Sequence, residues 1–450
     1  MYLPDAVLAC IDALEKSGHA TYAVGGCVRD AYLGIEPHDY DLCTAATSDE
    51  TAAVFASHRL VTAGKKHGTI GVVTEMGVVE ITTFRTEGGY LDNRHPDYVN
   101  FVTDIREDLS RRDYTIGAMA YSPYRGYADP FGGREDLNNR ILRAVGDPAA
   151  RFQEDSLRIL RGVRFAVRFG LTPEEKTLEA MFDQKELMDN LARERVFDEL
   201  CKLLPLVTAE DLLRFAPVQG AVITELIATF GFDQHSPHHA YDLFTHIAHV
   251  VEGVPAELSL RWAALLHDLG KIPTFTRDQN GRGHFYGHAD VGAEMADAVL
   301  RRLKAPTALR EQVVTLIKLH MTKLEPDKRL LRRRLGKLGW DTLEQLLILQ
   351  EADMGSKGTG NPEEMEQFST IRACLADIRQ EDNCLSIRDL AVNGHDLMAL
   401  GLSGPAIGKA LEQLLEQVQD DRLSNEKTAL LDSVRANHSF PRGEAVTEGD

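Results

Sequence analysis

Apolar side chains recur at helical spacing along most of this chain, and strand-like runs are confined to a stretch near its beginning. Residues 4–17 carry Val7, Leu8, Ile11 and Leu14 on one helical face, with Gly18 as the stop. Thr47 and Glu50 have the spacing of a capping box that opens a helix to about Phe55. Residues 59–61, 69–75 and 78–84 are rich in β-branched side chains, with a turn at Gly77, and predict strands. A polar, glycine-rich stretch at 85–98 then breaks all periodicity. The spacing predicts one continuous helix over 152–169, with Leu157, Leu160, Val163 and Val167 on one side and Asp155, Arg158, Arg161, Arg164 and Arg168 on another. Further helices follow at 193–200, before His267, and after the glycine-proline turn at 404–405, while 438–450 has no periodicity and is expected to fray. This is an α+β pattern: a mixed α/β head over 1–145, then an almost all-helical remainder.

Apart from its charge, the composition is typical of a globular protein. At 450 residues, 43% apolar and 26% charged, the chain is ordinary globular material with room for two to four domains. Its net charge of −19 disfavours diffuse binding to polyanions, so any contact with nucleic acid has to use a local basic track. Residues 318–337 supply one, with eight Lys or Arg against Glu325 and Asp327. The six cysteines are scattered without paired spacing and read as reduced, buried thiols. No signal-peptide pattern opens the sequence, and no apolar run approaches the roughly 20 residues that span a bilayer, so the expectation is a cytoplasmic protein with no membrane partner.

The candidate chemistry centres on residues 24–41, VGGCVRDAYLGIEPHDYD. Gly25 and Gly26 let the backbone approach a phosphate closely. Asp39 and Asp41, two apart on extended chain, face the same way and call for a cation between them, for which Mg²⁺ is suited. Either feature alone is more often a turn or a pair of solvated acids. Together, joined by Arg29, they point to nucleotidyl transfer. Glu80, central in an apolar strand, is expected to need a partner such as that metal. Arg111 and Arg112 offer forks for phosphate oxygens, and Asp113 can accept from a ribose hydroxyl. Asp155 and Arg158 form a different kind of pair. A carboxylate accepts from an exocyclic amine and a guanidinium donates to the neighbouring ring nitrogen, so one such pair reads both cytosine and adenine. It opposes uracil and guanine, whose groups are reversed.

The GG-x-V-R-D-x-x-L-G run followed by D-x-D resembles the class II tRNA nucleotidyltransferases and the related bacterial poly(A) polymerases, and the resemblance continues to about Gly170. It implies a small nucleotidyltransferase head and an elongated helical neck, body and tail. Two Mg²⁺ would be held by Asp39, Asp41 and Glu80, and the triphosphate clamped by Gly25, Gly26 and Arg29. Arg111, Arg112 and Asp113 match the motif that contacts sugar and phosphates. Asp155 and Arg158 match the template-free base-selecting pair, with Glu154 orienting Arg158 and with Arg161 and Arg164 reaching phosphates. The stretch 85–98 corresponds to a mobile loop that helps the site change between adding C and adding A, although a plain surface hairpin fits as well. The helix at 193–200 resembles the neck and is expected to be structural.

In the middle of the chain His246, His267-Asp268 and Asp353 follow the order H…HD…D, with His288 and His320 as further candidates. This resembles the HD phosphohydrolase superfamily and implies a divalent, possible transition-metal site. The expected organisation is a head at 1–145, a neck at 146–205, a body at 206–384 with the HD fold at about 235–355, and a tRNA-supporting tail at 385–437. The implied reaction transfers CMP and then AMP from CTP and ATP to the 3′ end of tRNA. Addition of CC only, A only or poly(A) shares every motif. A reading from another class makes the HD segment a phosphohydrolase or phosphodiesterase and the head an RNA-binding module. Monomer and homodimer are both open.

Overall fold

The computed structural model describes residues 1–88, 98–237, 240–359, 362–381 and 384–437. The stretch 89–97, most of the expected loop, and the expected frayed end 438–450 lie outside the described residues. The chain divides into two compact units, one of Met1–Phe230 with Ala298–Pro306 and one of Gly231–Asp297 with Thr307–Asp450.

The first unit is built on a mixed sheet. Its strands are β1 (Thr21–Val24), β2 (Asp41–Thr44), β3 (Leu60–Val61), β4 (Thr69–Thr74) and β5 (Gly77–Thr83). A separate two-stranded ribbon follows, β6 (Arg85–Gly88) with β7 (Tyr98–Phe101), and then β8 (Ala120–Ser122) and β9 (Gly126–Ala128) complete the sheet. The order is β3-β4-β5-β2-β1-β8-β9, and β2 with β5 is its parallel pair. The opening helix, Asp5–Lys16, buries Val7, Cys10, Ile11 and Leu14, and the helix Ser48–Val54 begins with the Thr47/Glu50 capping box complete in both directions. Tyr22, Val24, Cys43, Phe84, Ile105 and Leu109 form a core beneath the sheet. The rest of this unit is chiefly helical.

Two expectations are corrected here. The helix expected over 152–169 is two helices, Pro148–Glu154 and Leu157–Phe169, separated by Asp155 in an extended conformation (φ −144°, ψ 102°). The Glu-Asp-Ser run supplies the reason: short polar side chains compete for backbone donors, and Asp155 Oδ1 accepts from Leu157 N–H at 3.1 Å. Glu80 does not face an apolar layer. Along β5 it is Val79, Ile81 and Thr83 that are buried, and Glu80 alternates to the accessible face.

The second unit is helical apart from a short ribbon, Thr276–Arg277 with Gly283–His284. One core packs Leu331, Leu335, Leu343 and Leu347 against Phe368, Ile371, Leu375 and Ile378. Another packs Leu397, Leu411 and Leu414 against Leu430 and Val434. The helix Lys328–Gly355 bends at Gly339 (φ 75°) and carries much of the expected basic track. That track is narrower than its composition suggests. Lys328 pairs with Asp377 and Glu381, Arg332 with Glu381 and Asp421, and Arg333 with Glu416 and Asp420. A groove of about 370 Å³ remains, bordered by Lys323, Arg333, Arg334 and Lys337. Among the described residues no helix is long and apolar enough to cross a membrane.

Candidate active site

After β1 the chain turns at Gly25 with φ +76°, a left-handed conformation that glycine adopts readily. A Cβ at this position would lie 2.8 Å from Arg112 Nη1, so the bare backbone is what lets that guanidinium rest against the turn. Gly26 begins the helix Gly26–Tyr32. Arg29, on the same helix, is buried. Its guanidinium pairs with Asp30 at 2.7 Å and lies 4.4 Å from the ring centre of Phe169. Burial lowers its pKa, and Asp30 offsets that only in part.

The carboxylates meet through strand register. Asp41 opens β2 and stands directly opposite Glu80 on parallel β5, both on an accessible face, with Asp39 exposed two residues earlier. Desolvation, and then the Glu80 charge, push the Asp41 carboxyl above its usual range; Asp39 adds to this and Arg112 opposes it. Such crowding of acids around a half-shielded oxygen suits a hard divalent cation with oxygen ligands.

Arg111 and Arg112 follow the helix Ile105–Ser110, on which Asp108 is fully buried. Asp108 Oδ1 accepts from Arg111 at 2.9 Å and Oδ2 from Arg112 at 3.4 Å, so one acid sets the direction of both guanidiniums. Arg111 also pairs with Glu87 of β6 at 3.0 Å. Sequence reasoning missed Asp108, although its spacing of three and four residues from the two arginines is a readable signal. Asp113 turns the other way and accepts from Arg161 Nη2 at 2.7 Å. Burial raises the Asp113 pKa, but Arg161, with Arg158 and the Tyr114 backbone N–H, together bring the net shift downward.

The helix Leu157–Phe169 is tied to this segment through Tyr114, whose hydroxyl donates to Arg158 O at 2.7 Å. The helix carries Gly162 at the crossing, where a Cβ would fall 2.0 Å from the Tyr114 oxygen. Arg158 Nη1 donates to Glu154 Oε2 at 2.6 Å, and its Nη2 donates to Arg111 O at 3.0 Å. Asp155 Oδ2 accepts from Arg195 Nη2 at 2.8 Å. Arg164 Nε donates to Glu199 at 2.6 Å in a buried pair. The structure thus brings Glu154 to Arg158 and Arg112 to the Gly25 turn and Asp41. It turns Arg161 and Arg164 onto Asp113 and Glu199.

In the second unit, four imidazoles converge on Asp268. His246, His267, His288 and His320 each place Nδ1 at a backbone carbonyl, of Ser356, Ala264, Phe285 and Ile317, at 2.6 to 3.2 Å. Each Nδ1 in that arrangement donates its proton to the carbonyl, which turns Nε2 inward. His246 Nε2 lies 3.0 Å from Asp353 and 3.5 Å from Asp268, and His267 Nε2 lies 3.2 Å from Asp268. His288 Nε2 and His320 Nε2 face each other at 3.2 Å. Burial, and then the neighbouring His267, bring the His320 pKa down to about 4. His267, His246 and Asp268 form one group with the spacing of metal ligands, and Asp268, His288 and His320 form a second. Lys271 Nζ closes on Asp268 Oδ2 at 2.7 Å, a contact sequence reasoning did not anticipate.

Comparison with known proteins bears on the first unit and on the chain as a whole. Residues 21–143 match the Poly A polymerase head domain, and residues 170–214 match a segment described as "Probable RNA and SrmB- binding site of polymerase A". Residues 284–434 match tRNA nucleotidyltransferase domain 2. The chain is 31% identical over 422 residues to a CCA-adding enzyme of Bacillus velezensis, covering 93% of this chain and 95% of that protein. It is 35% identical over 435 residues to a CCA-adding enzyme of Levilactobacillus brevis, covering 94% and 96%. The Bacillus stearothermophilus CCA-adding enzyme, solved in complex with CTP, superposes with a TM-score of 0.70 at 27% identity over 97% of this chain and 99% of that one. A Thermotoga maritima CCA-adding enzyme complexed with tRNA shares the fold, with a TM-score of 0.61 at 20% identity over 97% of each chain. With these motifs in one compact unit and this similarity along nearly its whole length, the chain belongs to the CCA-adding enzyme family of tRNA nucleotidyltransferases.

Proposed function

We infer that this protein transfers CMP and then AMP from CTP and ATP to the 3′ end of tRNA, without a nucleic-acid template and with release of pyrophosphate. The observation that carries the reading is the accessible Asp41–Glu80 pair, in the same compact unit as the Asp155 and Arg158 side chains. Asp39, Asp41 and Glu80 would hold two Mg²⁺. Mg²⁺ held there would supply Lewis-acid stabilisation to an attacking 3′-hydroxyl and to the departing pyrophosphate. Gly25 and Gly26 receive the triphosphate along bare backbone, and Arg112 faces it. Arg29, paired with Asp30 and packed on Phe169, supports that turn from behind.

Arg111 and Asp113 line the sugar and phosphate side, Arg111 fixed by Asp108 and Asp113 by Arg161. Asp155 accepts from the amine of cytosine or adenine while Arg158, oriented by Glu154, donates to the ring nitrogen beside it. Arg161 and Arg164 reach phosphates only after leaving their present partners. The head, neck, body and tail run over 1–145, 146–205, 206–384 and 385–437, and the groove bordered by Arg334 and Lys337 is the part of the basic track left to meet RNA backbone. A substrate of this kind places the protein in the cytoplasm. The test supplies tRNA lacking its 3′ end with CTP and ATP, singly and together. C addition from CTP alone and completion only with both supports CCA addition. Extension by CC alone, A alone or an A tail assigns a narrower relative of the same family.

A second reading concerns the helical unit and is favoured by the four inward Nε2 atoms. The donor set fits a divalent transition metal: His246, His267 and Asp268 form one position, with Asp353 3.0 Å from His246 Nε2, and Asp268, His288 and His320 form a second. With both Nδ1 atoms turned to backbone carbonyls, the facing His288 and His320 nitrogens would suit a cation beside them. A metal there would supply Lewis-acid chemistry to a phosphoester, while Lys271 holds Asp268 in place. Hydrolysis of a 2′,3′-cyclic phosphate that is lost in His267→Ala, with nucleotide incorporation retained, supports this second activity.

A further inference from the structure

Arg195 lies on the helix Arg193–Leu203, expected to be structural, yet its guanidinium ends on the side chain proposed above to select the base. Asp155 occupies the break between two helices, where no helical turn fixes its rotamer. Two donors fix it instead. Leu157 N–H reaches Oδ1 at 3.1 Å, and Arg195 reaches Oδ2 at 2.8 Å and Oδ1 at 3.5 Å. An ionised carboxylate has about four lone-pair sites, so one edge remains to receive an exocyclic amine.

The alternative is that Arg195 simply docks one helix on the other. That task already has a better candidate. Glu199, one turn further along the same helix, pairs with Arg164 of the helix Leu157–Phe169 at 2.6 Å, with side chains only 10% and 6% exposed. The Arg195–Asp155 pair is more open, at 26% and 19%, and pairs of that kind contribute little to stability. Two ion pairs thus join the same helices, one deep and one at the accessible end, and the accessible one holds the base-reading acid.

We propose that Arg195 is a positioning residue for nucleotide selection, which fixes the Asp155 carboxylate so that its open edge meets the amine of cytosine or adenine. The proposal rests on the reading of Asp155 as the base-selecting acid. Without Arg195 the carboxylate swings about its χ1 and χ2 torsions, and the penalty imposed on uracil and guanine falls because their carbonyls are no longer met by a fixed acceptor.

The experiment measures kcat/KM for CTP, ATP, UTP and GTP on tRNA lacking its 3′ end, in the full chain carrying Arg195→Ala, Arg195→Gln or Arg195→Lys, with Asp155→Ala and Glu199→Gln beside them. The expected result for R195A and R195Q is a roughly tenfold fall in the CTP-to-UTP ratio, the size of one charge-assisted hydrogen bond, with partial rescue in R195K. E199Q is expected to lower the melting temperature and leave that ratio unchanged. R195Q keeps a neutral donor and serves should R195A fail to fold. An equal loss for all four nucleotides in R195A and R195Q, with the ratio unchanged, overturns the proposal. If D155A also leaves the ratio unchanged, the underlying base-selection reading fails. If D155A alone collapses it, only the role of Arg195 fails.

Discussion

Asp41 and Glu80 stand directly opposite each other on adjacent parallel strands, with both carboxylates on the accessible face of the sheet. Two acids in register gain nothing from each other, and the Asp41 carboxyl is held above its usual range by burial and then by Glu80. Asp41→Ala is therefore expected to reduce nucleotide incorporation to background while tRNA binding, measured by filter retention or anisotropy, stays near the wild-type value.

The same crowding fixes a sign for stability. Asp41 has a folded pKa above the unfolded value of about 3.9, so the folded state binds its proton more tightly and this group's contribution declines as pH rises through that interval. At neutral pH a cation relieves the strain. Magnesium is expected to raise the melting temperature of the wild-type protein, and to do so much less in Asp41→Asn or Glu80→Gln; equal shifts in all three count against a metal on this face.

Gly25→Ala places a Cβ where Arg112 Nη1 now lies and asks an L-residue to hold φ +76°. A cost of about 1 kcal/mol in stability follows from the backbone alone. Displacement of Arg112 is expected to raise KM for both CTP and ATP, read from steady-state incorporation.

Asp113 shows the opposite linkage to Asp41. Burial raises its pKa but Arg161, Arg158 and the Tyr114 N–H together lower it below the ordinary value, so its stabilising contribution is full above the unfolded pKa near 3.9 and is lost as pH falls through the lower folded value. In Arg161→Ala the buried acid has lost its cation. The variant is expected to lower the urea midpoint at pH 7, and the difference from wild type is expected to shrink as pH is taken below 4.

In the helical unit, two ligand groups share Asp268. Metal analysis of protein equilibrated with Mn²⁺ is expected to give two ions per chain. His320→Ala should lose one, His246→Ala the other, and Asp268→Ala both. A single ion that survives His320→Ala and His288→Ala restricts the centre to His246, His267, Asp268 and Asp353.

Much of this was legible in the residues. The Thr47/Glu50 capping box, the opening helix and the strands around Gly77 depend on local chemistry, and local chemistry is what a sequence displays. The two-residue spacing of Asp39 and Asp41 was equally readable, but the register that sets Asp41 opposite Glu80 belongs to the pairing of two strands distant in the chain. What escaped was non-local. The helix predicted over 152–169 breaks at the polar run before Leu157, where Asp155 Oδ1 accepts from Leu157 N–H, and the Asp155 carboxylate then meets Arg195 forty residues away. The charges of Lys328, Arg332 and Arg333 read as a free track until the fold set Glu381, Asp420 and Asp421 against them. Asp108 was hidden by its ordinariness: one acid among many, significant only because it is fully buried beneath two arginines.

In the function proposed for this chain, Asp155 and Arg158 take the place of a template, and the acids Asp41 and Glu80 of the same compact unit hold the metal. The most direct test of that function offers tRNA ending just short of its 3′ triplet to the enzyme with all four nucleoside triphosphates in competition, and sequences the products. Ends that read CCA and extend no further are expected. Ends carrying U or G at a comparable frequency, or no extension at all, would contradict it.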